Sequence, residues 1–326
     1  MTLHPAVAAV RLAVRRTLAD AGDAPVLVAC SGGADSLALV AATVFEARSD
    51  ARHVVGVTVD HALQEGSAAQ SARVVAQMAG LGVGETVAVR VDVTAAGRGP
   101  EAAAREARYA VLAEVAQRSG SDVVLLGHTL DDQAETVLLG LARGSGGRSL
   151  AGMRRAFDVY RRPLLDLTRA QTEAACRAEG IEYWTDPHND DPRYARTRVR
   201  RRVLPVLEQE LGPGVAATLA RTADQLREDS STLDAIAAQR LPGLRCDDGL
   251  DTTGVAAEPS GVLLRVLRLA ALEAGCPASE LFRVHVLAMA DLLRASGTAR
   301  QVQLPGHVTA YREGNLLRFR PTPVAG

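Results

Sequence analysis

The stretch Val26-Leu27-Val28-Ala29-Cys30-Ser31-Gly32-Gly33-Ala34-Asp35-Ser36 decides how this chain is read. An apolar run enters a Ser/Gly turn, and a helical pattern opens at once. The two glycines permit a tight turn whose backbone N–H groups converge above the positive end of the following helix. With the Ser31 and Ser36 hydroxyls as further donors, Ser31, Gly32, Gly33, Ala34, Asp35 and Ser36 form a candidate cradle for phosphate. Asp35 would repel a phosphate unless a cation bridges the two, which implies Mg²⁺ with Asp35 as a metal ligand. A generic strand–helix turn with Gly and Ser chosen for geometry is the bland reading, and a lone glycine pair would favour it. The whole hexapeptide in the first such turn points to an anion.

Outward from this loop, short Val-rich runs alternate with helical segments. Pro25–Ala29, His53–Asp60, Glu85–Val91 and Asp122–Gly127 read as strands, and Asp35–Arg48, Ser67–Gly82 and Pro100–Arg118 as helices. That alternation predicts an α/β fold, a doubly wound parallel sheet whose ligands sit beyond the carboxyl ends of its strands. After residue 143 the pattern changes. Arg143–Leu150 reads as a Gly/Ser/Arg loop and Trp184–Arg193 as irregular. Helices are expected over Tyr194–Gln209, Val215–Arg240, Ser260–Glu273 and Ser279–Ala295, with a linker over Leu241–Ser260. Short strands are expected over Arg300–Arg320, turning at Pro305–Gly306 and Glu313–Asn315. The length, 326 residues, suits two domains. The expected division is 1–210 for the sheet domain and 211–326 for a mainly helical domain with a short C-terminal β element.

Composition excludes several chemistries. All 37 basic residues are arginine, so no lysine of this chain can form a Schiff base or serve a Walker-type phosphate loop. Cys30, Cys176, Cys246 and Cys276 stand far apart with no C-x-x-C pair, which argues against a disulfide framework, a zinc site or an iron–sulfur site and fits a reduced cytoplasm. No apolar run approaches a membrane span, and Arg11, Arg15 and Arg16 interrupt any signal-peptide core. Secretion and membrane association are not expected.

Two further constellations carry chemistry. In Gly127-His128-Thr129-Leu130-Asp131-Asp132-Gln133-Ala134-Glu135-Thr136, a helix starting at Asp131 puts Asp132 and Glu135 on one face, with His128 and Asp131 at its mouth. So many acids beyond the fourth strand would repel one another unless they held a cation, either Mg²⁺ or a substrate ammonium. A solvated acidic helix start would explain Asp131 alone, though hardly the whole set. Arginines concentrate in residues 143–162, including Arg143 and Arg148, and in 193–202, including Arg196, Arg198, Arg201 and Arg202. A solvated face is the bland reading of such runs. Two of them flanking an anion site favour RNA phosphates.

The hexapeptide SGGADS resembles the S-G-G-x-D-S signature of the PP-loop (N-type) ATP pyrophosphatase superfamily, which splits ATP between the α and β phosphates. That resemblance implies an adenine nucleotide alpha-hydrolase-like sheet. Further segments resemble its tRNA(Ile)-lysidine synthetase branch: Val59-Asp60-His61-Ala62-Leu63, Glu101 to Tyr109, Gly127 to Thr136, Arg143-Gly144-Ser145-Gly146, Gly152-Met153, Arg162-Pro163-Leu164-Leu165 and Asp186-Pro187-His188-Asn189. The match covers about residues 24–205. It implies a cytoplasmic ligase that uses ATP and Mg²⁺ to adenylate cytidine 34 of the CAU-anticodon tRNA(Ile), then joins L-lysine. Asp35, Asp132 and Glu135 would bind lysine; Asp35, Arg108, His128 and Asp132 would be catalytic. Arg108 would steady charge developing on phosphate or the base oxygen, and a carboxylate or His128 would take the amine's proton. Arg143, Arg148, Arg196, Arg198, Arg201 and Arg202 would bind tRNA. A homodimer is left open.

Departures from the branch fall on the tRNA side: Thr197 for Asn, His188 for Ser and Ser149 for Gly. Many relatives also carry a further C-terminal domain, so tRNA would be gripped differently here. The nearest rival is a PP-loop tRNA thiolase, which typically needs paired cysteines. A non-catalytic nucleotide-binding module would leave Asp35, Asp132 and Glu135 without purpose. A glutaminase-linked synthetase would need an N-terminal catalytic cysteine.

Overall fold

A computed structural model describes residues 3–60, 66–91, 100–144, 147–186, 191–294 and 301–322. The chain divides into two compact units, Met1–Asp224 and Gln225–Gly326.

The first unit is built on a six-stranded sheet. β1 (Val26–Ala29), β2 (Val54–Asp60), β3 (Glu85–Arg90) and β4 (Val123–Leu125) match the expected strands to within one or two residues at each end. β5 (Ala156–Phe157) and β6 (Tyr160–Arg161) form a short hairpin at one edge. The order is β3-β2-β1-β4-β6-β5, parallel except for β5 against β6. Strand order reverses between β1 and β4, so the crevice beyond their carboxyl ends is the topological switch point where such sheets bind ligands.

Alternation along β1 separates two cores. Val26 and Val28 join a cluster fed by α1 (Pro5–Ala19), α2 (Ala34–Ala47) and α3 (Ser67–Gly80). Leu27 joins the opposite cluster, with Val111 and Leu112 of α4 (Pro100–Ser119) and Tyr160. A period of two therefore buries both faces of the strand, as a sheet covered by helices on each side requires.

α5 (Leu130–Ala142) follows β4, and α6 (Gly147–Leu150) lies in the Arg143–Leu150 segment expected to be loop. α7 (Arg169–Ala178) was not expected; Thr168 and Gln171 close a capping box at its start, and Ala175 and Cys176 enter the first core. The helix predicted over Tyr194–Gln209 is present in three parts: α8 (Ala195–Arg198), a π turn over Val199–Val203, and α9 (Leu204–Leu211). Pro205 has no N–H to close an α turn onto Arg201, and the π turn lies just before it.

α10 (Val215–Arg240) contains the boundary between the units. In the second unit the expected linker is instead structured. It holds a 3₁₀ turn over Leu241–Leu244, β7 (Arg245–Cys246), β8 (Gly249–Asp251) and α11 (Thr252–Ala257). Leu250 and Val255 are buried in the core, and Asp251 caps α11 by accepting from Thr253 N and Gly254 N. α12 (Ser260–Glu273) agrees with expectation, and α13 (Arg283–Arg294) begins four residues later than expected. β9 (Gln301–Leu304), β10 (Val308–Glu313) and β11 (Leu316–Pro321) are the predicted C-terminal strands, in a sheet ordered β7-β8-β11-β10-β9. Among the described residues, no helix is long and apolar enough to cross a membrane.

Candidate active site

The loop after β1 is held by its own side chains. Ser36 Oγ donates to Gly33 O at 2.9 Å and accepts from Ser31 N at 3.1 Å. Gly32 lies at φ +83°, and a Cβ there would meet Val74 Cγ2 at 2.6 Å, so glycine is required twice over. Trp184 N donates to Gly32 O, tying the loop to the irregular segment that follows α7. Gly33 caps α2 with no side-chain bond, leaving the first amides of a 14-residue helix available for an anion. Ser36 is thus committed to the loop's shape, whereas Ser31 is exposed.

The loop and the acidic helix meet through Gly127. A Cβ on Gly127 would stand 3.1 Å from Ser36 Cα and 3.2 Å from the Asp35 carbonyl. A side chain at 127 would require the backbone at Asp35 and Ser36 to give by a few tenths of an ångström, so glycine suits the close approach of α5 to Asp35. α5 then starts one residue earlier than expected, with Asp132 Oδ2 accepting from Thr129 N at 2.9 Å. That bond turns Asp132 back toward the helix mouth and toward Asp35.

Three arginines meet the acids. Glu135, fully buried, accepts from Arg196 Nε at 2.8 Å and Arg200 Nε at 2.6 Å. Asp132 Oδ1 lies 3.1 Å from Arg169 Nη2 and 3.4 Å from Arg200 Nη2. Arg169 also lies 3.5 Å from Asp35 and 3.6 Å from Glu135, and its backbone N donates to Asp131 at 2.7 Å. Asp35, Asp132 and Glu135 therefore share three guanidiniums, and Asp131 takes the Arg169 backbone N–H, so the four carboxylates outnumber the guanidiniums by one. Self-repulsion, expected to demand an outside cation, is mostly relieved from within. Burial pushes the Asp132 pKa up, yet Arg169, Arg196 and His128 hold it below the ordinary carboxylate value. Asp35 goes the other way. Burial raises it to about 6, against the Thr172 hydroxyl that donates to it and the Arg169 charge, with Asp132 and Asp131 adding to the rise.

On the other side of His128 the charge is of one sign. Arg105, Arg108 and Arg162 gather around Tyr109; Arg162 Nη2 donates to the Tyr109 hydroxyl at 3.0 Å. The Arg108 Nε is buried without an acceptor. Burial and the neighbouring Arg105, Arg196 and Arg162 depress its pKa, with only Tyr109 opposing them. A buried N–H without a partner beside other cations is an offer to an anion.

Among the described residues no group of three or more His, Cys, Asp or Glu is arranged to hold a metal. Asp35, its side chain 21% exposed, is a single accessible carboxylate. That suits Mg²⁺, which keeps its waters and takes one or two carboxylates along with substrate phosphates.

The predicted site residues are thus brought together in part. Asp35, Asp132 and Glu135 share Arg169, Gly127 packs against the loop at Asp35 and Ser36, and His128 lies between Asp132 and the Arg108/Arg162 charges. Arg196, expected on the tRNA face, is seated on Glu135 and on Asp132 O. Arg198 is exposed but folds back to donate to the Pro192 and Arg193 carbonyls. Arg143, Arg201 and Arg202 are exposed. The Arg148 side chain, His61 to Leu63, Ser145, Gly146 and Pro187 to Asn189 lie outside the described residues. Sequence reasoning missed Arg169 and Thr172, which share α7, and the inward direction of Arg200. The Thr168/Gln171 capping box was the available signal for α7.

Comparison with known proteins adds to this geometry. Residues 8–207 match the family model described as a PP-loop domain. The chain is 51% identical to the tRNA(Ile)-lysidine synthase of Salinispora arenicola, over 99% of both chains. It is 47% identical to that of Streptomyces coelicolor, over 97% of this chain and 99% of the relative. Among solved structures it is similar to the U34-tRNA thiolase NcsA of Methanococcus maripaludis, with a TM-score of 0.55 and 19% identity. That alignment covers 68% of this chain and 80% of the thiolase. The last likeness concerns the fold alone.

Proposed function

The chain belongs to the tRNA(Ile)-lysidine synthase family of PP-loop proteins, and from that premise we propose how its residues divide the reaction. The enzyme is a ligase that adenylates cytidine 34 of the CAU-anticodon tRNA(Ile) with ATP and joins L-lysine to it. AMP and diphosphate leave, and codon reading switches from AUG to AUA.

ATP sits with its phosphates on Ser31 to Ser36 and the first amides of α2. Asp35 would hold Mg²⁺ that arrives with the nucleotide, and the ion would neutralise charge on the phosphates there. The C2 oxygen of the cytosine attacks the α-phosphate and diphosphate departs. Arg108, with its buried and unpartnered Nε, faces the oxygen on which charge develops. Lysine's ammonium is drawn to Asp35 and Asp132, while Glu135, expected beside them, is buried behind them on Arg196 and Arg200 and adds its charge from there. The amine reaches C2 after losing a proton to a carboxylate, and AMP is the leaving group.

The tRNA runs over the exposed arginines Arg143, Arg201 and Arg202, with Arg148 and Arg198 nearby in sequence. Arg196 acts at the crevice by holding Glu135, and it reaches tRNA only through that contact. A cytoplasmic location follows from a tRNA substrate.

One observation carries this reading: Gly127 brings the acids of α5 against the phosphate loop, so that activation and amine delivery share one crevice. The test is ATP–pyrophosphate exchange with and without the CAU tRNA(Ile) transcript, followed by labelled lysine. Exchange that depends on the transcript and label in the tRNA are expected. Sulfur incorporation in place of lysine would transfer the chain to the thiolases.

A further inference from the structure

His128 stands between the acidic and basic halves of the crevice, and one residue fixes its ring. Arg162 is 5% exposed, although it is a charged residue, and each of its nitrogens is engaged. Nη1 donates to the Arg154 carbonyl, Nη2 to the Tyr109 hydroxyl, and Nε to His128 Nδ1 at 3.2 Å. The guanidinium also lies 4.8 Å from the centroid of Phe157, within the Tyr109–Phe157–Tyr160 ring cluster. A 3% aromatic chain has concentrated three rings behind one arginine. Such a fork cannot swing to suit its neighbour. It dictates the neighbour's state.

Arginine cannot surrender its proton, so an Nε–H aimed at Nδ1 requires a lone pair there. The ring proton is left on Nε2, which makes no hydrogen bond among the described residues. We propose that Arg162 is a positioning residue that locks His128 in the Nε2–H tautomer, so that the imidazole presents a neutral N–H donor to an electron-rich oxygen of the adenylation step and does not serve as the base for lysine. The assignment deepens the lysidine reading and rests on it for the identity of that oxygen. Two further observations agree. Burial, with Arg162, Arg108 and Arg196 against the opposing Asp132, pushes His128 down to about 3, so the ring stays neutral at working pH. The oxygen would also lie next to Arg108, whose Nε awaits an acceptor.

The test begins with the unmodified protein. Nitrogen-15 NMR of histidine-labelled enzyme should show His128 as neutral, with Nε2 protonated and Nδ1 bare, from about pH 6 to 8. A protonated Nδ1 or an imidazolium in that range overturns the proposal, whatever the enzyme's activity. His128→Gln, which keeps an amide N–H near the Nε2 position, should retain adenylation within about tenfold of the wild type. His128→Asn, which places its N–H near Nδ1, should lose about a hundredfold. The reverse order overturns the proposal.

Arg162→Lys should mix the tautomers in the NMR spectrum and lower kcat while leaving the KM for ATP within about twofold. A kcat loss with the tautomer intact would reduce Arg162 to packing and overturn its positioning role. Nucleotide affinity locates the oxygen: weakened ATP binding in His128→Asn puts it on the α-phosphate, and unchanged binding puts it on the base. The NMR result stands apart from catalysis, so an enzyme with this tautomer that made no lysidine would sink the functional reading and leave the tautomer assignment intact.

Discussion

The two charged clusters that flank His128 differ in how their charge is met. Around α5, Asp35, Asp131, Asp132 and Glu135 share Arg169, Arg196 and Arg200, with bonds as short as 2.6 Å. Around α4, Arg105 and Arg162 share the Tyr109 hydroxyl, Arg162 also holds a carbonyl, and Arg108 lies over the Tyr109 ring with its Nε unmatched. Burying unmatched charge is expensive, so each imbalance marks what the crevice is built to receive. The acid side has room for one ammonium. The basic side has room for a phosphate or an oxyanion.

The sharpest way to break this comparison is to remove the orphan donor. Arg108→Ala should slow tRNA-dependent pyrophosphate release by about 10²- to 10³-fold. Nucleotide affinity measured by calorimetry should stay within about twofold. An equal loss of nucleotide binding would make Arg108 a ground-state phosphate ligand.

On the matched side, Glu135→Gln leaves Arg196 and Arg200 facing a neutral amide. The expected cost is about 3 kcal/mol in urea unfolding, because the guanidiniums remain part-buried with their partner gone. A raised half-saturation for lysine should accompany it. A variant as stable as the wild type would show that these pairs contribute little beyond their geometry.

Asp35 gives an intermediate effect whose sign depends on pH. Its folded pKa, about 6, lies above the ordinary 3.8. The folded state therefore binds the proton more tightly, and stability is lost as pH rises through the window between those values. Asp35→Asn should be more stable than the wild type by about 1–3 kcal/mol near pH 7.5, with the gain vanishing below about pH 4. Lysidine formation should be lost at every pH. Equal stability of the two proteins at neutral pH would refute the raised pKa.

The smallest effect belongs to arginines outside both clusters. Charge reversal at Arg198 and Arg201 should weaken tRNA binding by about tenfold at physiological salt and flatten its salt dependence. ATP binding should not change. Unchanged tRNA affinity would remove this face from the tRNA path.

Much of the first unit was legible because its signals are local. Val26–Ala29 buries alternate residues on two faces, and the glycines after it have only one economical use. α7 was harder to see. Its buried residues are Thr172, Ala175 and Cys176, too small and too polar to form an apolar stripe, so only the capping box betrayed it. The expected linker after Leu241 hides elements of two to six residues, each shorter than two repeats of the period that would reveal it. The partners of the acids could not be read at all. Arg196 and Arg200 lie 61 and 65 positions from Glu135, and nothing in their own neighbourhood distinguishes them from Arg201 and Arg202.

Helical spacing makes that last distinction, and the π turn over Val199–Val203 lies within it. Arg196 and Arg200 are four apart and look inward, and Arg198, Arg201 and Arg202, spaced by three and four, look outward. One extra residue is wound into the π turn, so side chains beyond it are out of phase with a uniform spiral. Deleting a single residue there would rotate everything downstream by about 100°. The family's grip on its nucleic acid would then be mis-clocked without the loss of one positive charge.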